Sequence, residues 1–297
     1  MAKITMELIK ELREKTQVGM MDCKKALILA EGDLEKAIEI LRKKGASVAA
    51  KRAEHATDNG TVSSFISPDG KVGALLEIGC ETDFSANTDD MKNFAKNVCE
   101  HIINVAQCCP KECEPECLLE QKFFNDDQKT IKMLLDELIA KISENIKISR
   151  CVRFDAENGI VCSYIHSGST LGTMIELEVE GLNDSNKSGI EKLGKDICMQ
   201  IAVTNPLAID SSTVDPEILE KEKAILVEQL KASGKPEEMI DKIMVGKINK
   251  FYQEVCLIKQ KYIKDDKTSV EQQIKNVAKE LGCTVVVKQF KRFSIGK

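Results

Sequence analysis

The sequence predicts an α+β protein: an N-terminal three-helix unit, a duplicated hairpin-plus-helix core and an inserted antiparallel helical hairpin. Three observations carry that reading. First, residues 59–81 and 158–180 align without a gap at an offset of 99 and share eight identities in twenty-three positions: Asn59/Asn158, Gly60/Gly159, Val62/Val161, Ser64/Ser163, Ile66/Ile165, Gly73/Gly172, Glu77/Glu176 and Glu81/Glu180. The same offset pairs Lys96/Lys195, Cys99/Cys198 and Ile102/Ile201 further on. An ungapped match across two element types marks a duplicated unit. Second, each copy alternates apolar and polar residues around a turn, Ser67-Pro68-Asp69-Gly70 or Ser167-Gly168-Ser169-Thr170, before changing to helical spacing. Third, amphipathic helical periodicity recurs at the N-terminus and again after Asp215.

The first unit spans residues 1–45. Thr5 can cap a helix carrying Leu8, Ile9 and Leu12, and Thr16-Gln17-Val18-Gly19 turns the chain. A second helix follows Asp22, which leaves Met20 and Met21 in the turn, where flexible, polarisable side chains suit either a contact surface or packing. Gly32 fits a left-handed C-cap and Asp33 the next N-cap. The third helix, with Leu34, Ala37, Ile38, Ile40 and Leu41, is expected to stop at Gly45. Residues 46–58 read as a short helix or linker. A unit this small usually serves for docking.

Core copy one spans 59–148. The apolar run Val72–Ile78 reads as a strand, and Met91, Phe94, Ala95, Val98, Ile102 and Ile103 fall at helical spacing from about Asp89. Between them lies Thr82-Asp83-Phe84-Ser85. An acid beside a large aromatic at a strand-to-helix turn is either a local cap and staple or a functional loop. Copy two has Gly181-Leu182-Asn183 at the matching place, so the shared scaffold does not require an Asp-Phe pair there. A helical region at 118–148 presents Ile131, Leu134, Leu135, Leu138, Ile139 and Ile142 on one face. Core copy two spans 149–297. Its insertion, 214–262, opens at Asp215-Pro216 and breaks at Ser233-Gly234-Lys235-Pro236, giving two amphipathic helices that either project or pack on the core. A helix at Val270–Leu281 and a strand at Thr284–Phe290 close the copy.

Composition narrows the function. The chain has 297 residues, enough for two or three domains, with an ordinary soluble balance of 31% charged and 42% hydrophobic residues. A net charge of −5 opposes phosphate neutralisation, so no nucleic-acid partner is expected. No apolar run reaches the roughly 18–20 residues needed to cross a bilayer. The start, Met1-Ala2-Lys3-Ile4-Thr5-Met6-Glu7, lacks the apolar stretch of an export signal, so a cytoplasmic protein is expected. Twelve cysteines are then thiols. Cys108, Cys109, Cys113 and Cys117 cluster without paired Cys-x-x-Cys spacing, and read as an ordinary loop or as a zinc site. The three histidines, His55, His101 and His166, sit in no catalytic motif, and no phosphate loop or dinucleotide fingerprint occurs. The chain reads as a protein that acts by binding, without cofactor or resident metal.

Gly19-Met20-Met21-Asp22-Cys23-Lys24-Lys25-Ala26-Leu27, Glu81-Thr82-Asp83-Phe84, Ser143-Glu144-Asn145-Ile146 and Ser233–Pro236 together resemble the elongation factor Ts family over essentially the whole chain. The resemblance implies a UBA-like (ubiquitin-associated-type) first domain and a coiled-coil arm with the Ser-Gly-Lys-Pro tip. It also implies a guanine-nucleotide exchange factor whose partner is the GTPase elongation factor Tu. Lys10, Arg13, Met20 and Met21 would contact its nucleotide-binding domain, and His166, Leu171 and Gly172 would lie at a second contact. The turn Thr82, Asp83, Phe84 and Ser85 would intrude beside the magnesium and phosphate site to promote GDP release. The family usually has Val-Ala-Arg or Val-Ala-Lys after the Phe, whereas this chain has Ser85-Ala86-Asn87. The competing reading is a docking adaptor without exchange activity.

Overall fold

The computed structural model describes residues 4–16, 18–105, 114–232 and 237–296. Three helices come first: α1 (Met6–Thr16), α2 (Met20–Leu29) and α3 (Leu34–Arg52). Thr5 Oγ1 accepts the Leu8 N–H at 3.3 Å, and Asp33 caps α3 by accepting the Lys36 N–H at 3.1 Å. Ile9, Leu12, Cys23, Ala26, Leu27, Ala37 and Leu41 close one core. Two boundaries differ from expectation. Helix α2 begins at Met20, because the Gly19 carbonyl already accepts from Asp22 and Cys23, so both methionines are helical. Helix α3 runs seven residues past Gly45. A Cβ there would stand 3.1 Å from the Asp136 carbonyl oxygen, so this glycine serves close packing, not termination.

The first copy runs β1 (Asn59–Ile66), β2 (Val72–Cys80), α4 (Asp83–Ala86), α5 (Asp89–Asn104), α6 (Pro115–Leu119), β3 (Lys122–Phe123), β4 (Asp126–Thr130), α7 (Ile131–Ile142) and β5 (Ile146–Asp155). The second runs β6 (Gly159–Ile165), β7 (Leu171–Glu180), α8 (Asp184–Thr204), α9 (Pro216–Ala232), α10 (Glu237–Val255), β8 (Lys261–Tyr262), β9 (Asp265–Ser269), α11 (Val270–Leu281) and β10 (Thr284–Ser294). Two three-stranded antiparallel sheets result, ordered β1-β2-β5 and β10-β7-β6. The fold is α+β. Helices α9 and α10 pack on each other through Leu226, Leu230 and Ile240, with Val214, Cys256 and Phe251 at their base. The Ser233–Pro236 break lies outside the described residues, as do Cys108, Cys109 and Cys113. Among the described residues no helix is long and apolar enough to cross a membrane.

Strand β2 reads as a near-continuous apolar run because both its faces are covered. Ala74, Leu76 and Ile78 pack on Met91, Phe94, Val98 and Ile102 of α5, while Leu75 points the other way with Val62 and Phe154. That second face meets the other sheet. Each full burial of such a side chain contributes about 1.5–3 kcal/mol. The helices repeat the pattern at the same offset: Met91/Ile190, Phe94/Leu193, Val98/Ile197 and Ile102/Ile201 are all buried.

Contacts between the copies come in matched pairs. The Val62 N–H donates to the Ser169 carbonyl at 2.6 Å, and the Val161 N–H to the Gly70 carbonyl at 2.8 Å. Ser64 Oγ donates to Ser163 Oγ at 2.9 Å. A second offset, 139, relates the closing segments: β3-β4-α7-β5 to β8-β9-α11-β10, with Lys122/Lys261, Asp126/Asp265, Arg153/Arg292 and Phe154/Phe293 identical. Ser143 and Gly282, both left-handed with φ of 64° and 65°, end the matching helices. Arg153 donates to the carbonyls of Ile102 and Ile103 at 2.7 and 2.9 Å, and Arg292 to that of Ala202 at 3.3 Å. Each arginine satisfies the open C-terminal carbonyls of its copy's long helix.

Candidate functional site

Strand β2 is buried up to its last residue, Cys80, and the chain emerges two residues later. Thr82 is extended (φ −126°, ψ 154°) and caps α4, its Oγ1 accepting the Ser85 N–H at 3.2 Å. Both of its hydrogens go to one carboxylate: N–H to Glu144 Oε2 at 3.1 Å and Oγ1–H to Glu144 Oε1 at 2.8 Å. Helix α4 is a single turn. Asn87 Nδ2 donates to the Asp83 carbonyl at 2.9 Å and Thr88 Oγ1 to that of Ser85 at 2.8 Å, after which Thr88 caps α5.

Ser85 and Ala86 are buried and anchor this turn, while Asp83 and Phe84 face outward. The Phe84 side chain is 81% exposed, the most exposed large apolar residue among those described. It therefore does not staple onto α5. In the second copy Asn183 accepts from Ser185 and Asn186 at 3.0 and 3.2 Å and starts one continuous 21-residue helix, with no projecting aromatic.

Glu81 sits at the base of the turn. Its carboxylate accepts the Asn145 N–H at 2.6 Å, Arg52 Nη1 at 3.1 Å and His55 Nδ1 at 3.1 Å, joining the end of α3 to the approach of β5. The Asn145 amide first, then His55 and Arg52, hold its carboxyl down at about 2, against an ordinary 4.5. A depressed pKa stabilises the fold above the unfolded value and loses that contribution as pH falls through 4.5 toward 2. The melting temperature of the native chain is expected to exceed that of Glu81→Gln above pH 5, and the gap to close on titration toward pH 2. A gap that stays constant over that range would contradict this.

The remaining sequence-predicted residues fall in two other places. Lys10 and Arg13 are exposed one turn apart on α1, and Met20 and Met21, 40% and 64% exposed, open α2. His166 and Leu171 close the β6–β7 turn, the His166 N–H donating to the Leu171 carbonyl at 2.9 Å, with the ring nitrogen Nδ1 on the Tyr164 hydroxyl at 2.9 Å. Gly172, the next residue, is buried between the sheets, where a Cβ would lie 2.5 Å from Val62 Cγ1 and 2.7 Å from Ile165 Cδ1, so it lets the two sheets close.

The histidines have structural partners. His101 is buried and accepts the Phe124 N–H at Nδ1 (3.3 Å), so Nε2 donates to Gln121 Oε1 at 2.8 Å, and burial holds its pKa below the ordinary value. In the second copy Gln200 makes the same two bonds, accepting from Ile263 and donating to Gln260, so the position needs no imidazole. Burial pushes the thiols of Cys99 and Cys162 up to about 12, which keeps them protonated and unreactive. Cys117 of the cysteine cluster is exposed. Sequence reasoning missed the roles of Glu81, Glu144, Asn145 and Arg52. The runs Glu81–Phe84 and Ser143–Ile146 were both visible, but nothing in sequence says that segments about sixty residues apart meet.

The family described as Elongation factor TS matches residues 81–297. Elongation factor Ts of Clostridium kluyveri is 42% identical over 294 residues, covering 99% of this chain and 93% of that protein. The Clostridium perfringens protein of the same name is 43% identical with the same coverage, and that of Aquifex aeolicus is 41% identical over 99% of this chain and 98% of its own length. The chain belongs to the elongation factor Ts family.

Proposed function

We propose that this protein is a cytoplasmic translation factor that binds the GDP form of elongation factor Tu and promotes GDP release, allowing GTP to reload. One observation carries the reading: Asp83 and Phe84 project from a turn whose backbone is tied on both sides, and the equivalent turn of the second copy has neither residue. Phe84 supplies an apolar group that intrudes near the magnesium and phosphate site, and Asp83 a charge beside the metal's shell. Thr82 and Ser85 hold the turn. Lys10, Arg13, Met20 and Met21 on the N-terminal, UBA-like unit, with His166 and Leu171 on the second copy, supply affinity and register. The hairpin of α9 and α10 serves as a coiled-coil arm. No covalent step is involved.

The mechanism is a coupling of two binding equilibria. If factor and GDP each weaken the other's hold, the effect is reciprocal, and each 1.4 kcal/mol of coupling changes affinity about tenfold. The test is release of a fluorescent GDP analogue from elongation factor Tu of the same organism. Substoichiometric protein is expected to accelerate release many-fold. Binding without acceleration at saturation would leave a docking adaptor.

A further inference from the structure

We infer that Glu144 is a positioning residue for nucleotide exchange. Together with Glu81 it forms a reciprocal clamp that fixes the direction in which Asp83 and Phe84 project. This rests on the exchange role proposed above for the turn. The clamp joins two chain segments that cross at the base of α4. Glu144, just past the left-handed end of α7, accepts both the N–H and the hydroxyl of Thr82. Glu81, one residue before Thr82, accepts the N–H of Asn145, one residue after Glu144. Each segment thus gives a carboxylate to the other's backbone amide, and charged acceptors make the stronger hydrogen bonds. Asn145 extends the tie, its side-chain amide donating to the His55 carbonyl at 2.7 Å.

The second copy is an internal control. Cys283 stands where Glu144 stands and Gly181 where Thr82 stands, and a Cβ on Gly181 would lie 3.7 Å from the Cα and Cβ of Cys283. The backbones meet there as they do in the first copy, but no side-chain clamp joins them, and the following helix is continuous. The scaffold therefore closes without the clamp. The clamp accompanies the broken, projecting helix turn, and its consequence is local: without Glu144, Thr82 keeps its cap on Ser85 but the turn can pivot about Glu81. The exposed Phe84 has no packing of its own to hold it in line.

The experiment measures fluorescent GDP release from elongation factor Tu against factor concentration for the native chain, Glu144→Ala, Glu144→Gln and Phe84→Ala, with melting temperatures in parallel. Glu144→Ala is expected to lower the maximal release rate about tenfold, the loss of one to two hydrogen bonds to a charged acceptor, with the half-saturating concentration changed less than twofold. Glu144→Gln, which keeps one acceptor oxygen, recovers part of that rate. Phe84→Ala slow with Glu144→Ala at the native rate would overturn the clamp alone. Phe84→Ala at the native rate would overturn the exchange role of the turn itself. A rise in half-saturation without a fall in maximal rate, or a loss of rate that follows the melting temperature across both Glu144 variants, would make Glu144 an affinity or folding residue and also overturn the clamp.

Discussion

Phe84→Ala is expected to lower the maximal rate of GDP release by roughly ten- to a hundredfold while weakening the complex far less. The range follows from what the side chain has to give. Full burial of a Phe contributes about 1.5–3 kcal/mol, and in the free protein almost none of that is realised, since Phe84 stands 81% exposed. On the proposed role, that burial would be gained on the partner as GDP leaves, so its loss falls on the release rate more than on binding to the GDP form. Removing the ring leaves the turn's own bonds intact, because Thr82, Ser85, Asn87 and Thr88 hold it through main-chain and polar side-chain groups. The free variant should therefore melt with the native chain. Fluorescent GDP release and calorimetric binding, measured on the same preparation, separate the two effects. An unchanged release rate would sink the assignment of this side chain.

Gly159→Ala is expected to destabilise the protein by about 3 kcal/mol, lowering the melting temperature by roughly 6–12 °C. Overpacking usually meets side chains that can rotate away. Here the added carbon would stand 1.9 Å from the Leu177 carbonyl oxygen, so strands β6 and β7 must part. Gly60 is in the same position in the first copy, 2.1 Å from the Ile78 carbonyl oxygen. Neither residue needs a left-handed backbone. Both are glycine because a neighbouring strand passes too close for any Cβ. Differential scanning calorimetry of Gly159→Ala against Ser63→Ala, in the same strand pair of the other copy but without backbone collision, checks the magnitude. Equal melting of the two variants would contradict it.

The duplication was legible because the strands and the long helices that follow them keep one spacing. Val62/Val161 and Gly73/Gly172 survive as identities since each fills, or vacates, space in the contact between the sheets. The offset of 139 was present in the same letters, in Cys117/Cys256, Leu118/Leu257, Gln121/Gln260 and Arg153/Arg292. It is masked because the α9–α10 hairpin moves everything after it by forty residues. The Asp83-Phe84 turn stood out as chemistry without a scaffold role, yet exposure decided between staple and projection. Glycine misled once. Gly45 read as a stop, and it proves to be, like Gly172, a place where one element passes close to another. The clamp at Glu144 was out of reach, because a carboxylate's partner sixty residues away leaves no periodicity.

The matched contacts between the copies have a further consequence. Val62 lies against Gly172 while Val161 lies against Gly73, and Ser64 meets its own counterpart Ser163. Residue i touching j′ while i′ touches j is the signature of an isologous interface, the contact of a two-fold homodimer, here made within one polypeptide. Covalent linkage frees such a pair from the rule that both halves stay alike. An obligate homodimer would carry an exposed Phe at both turns and an inserted hairpin in both subunits. This chain carries one of each, on opposite halves, so a symmetric scaffold supports a one-sided tool.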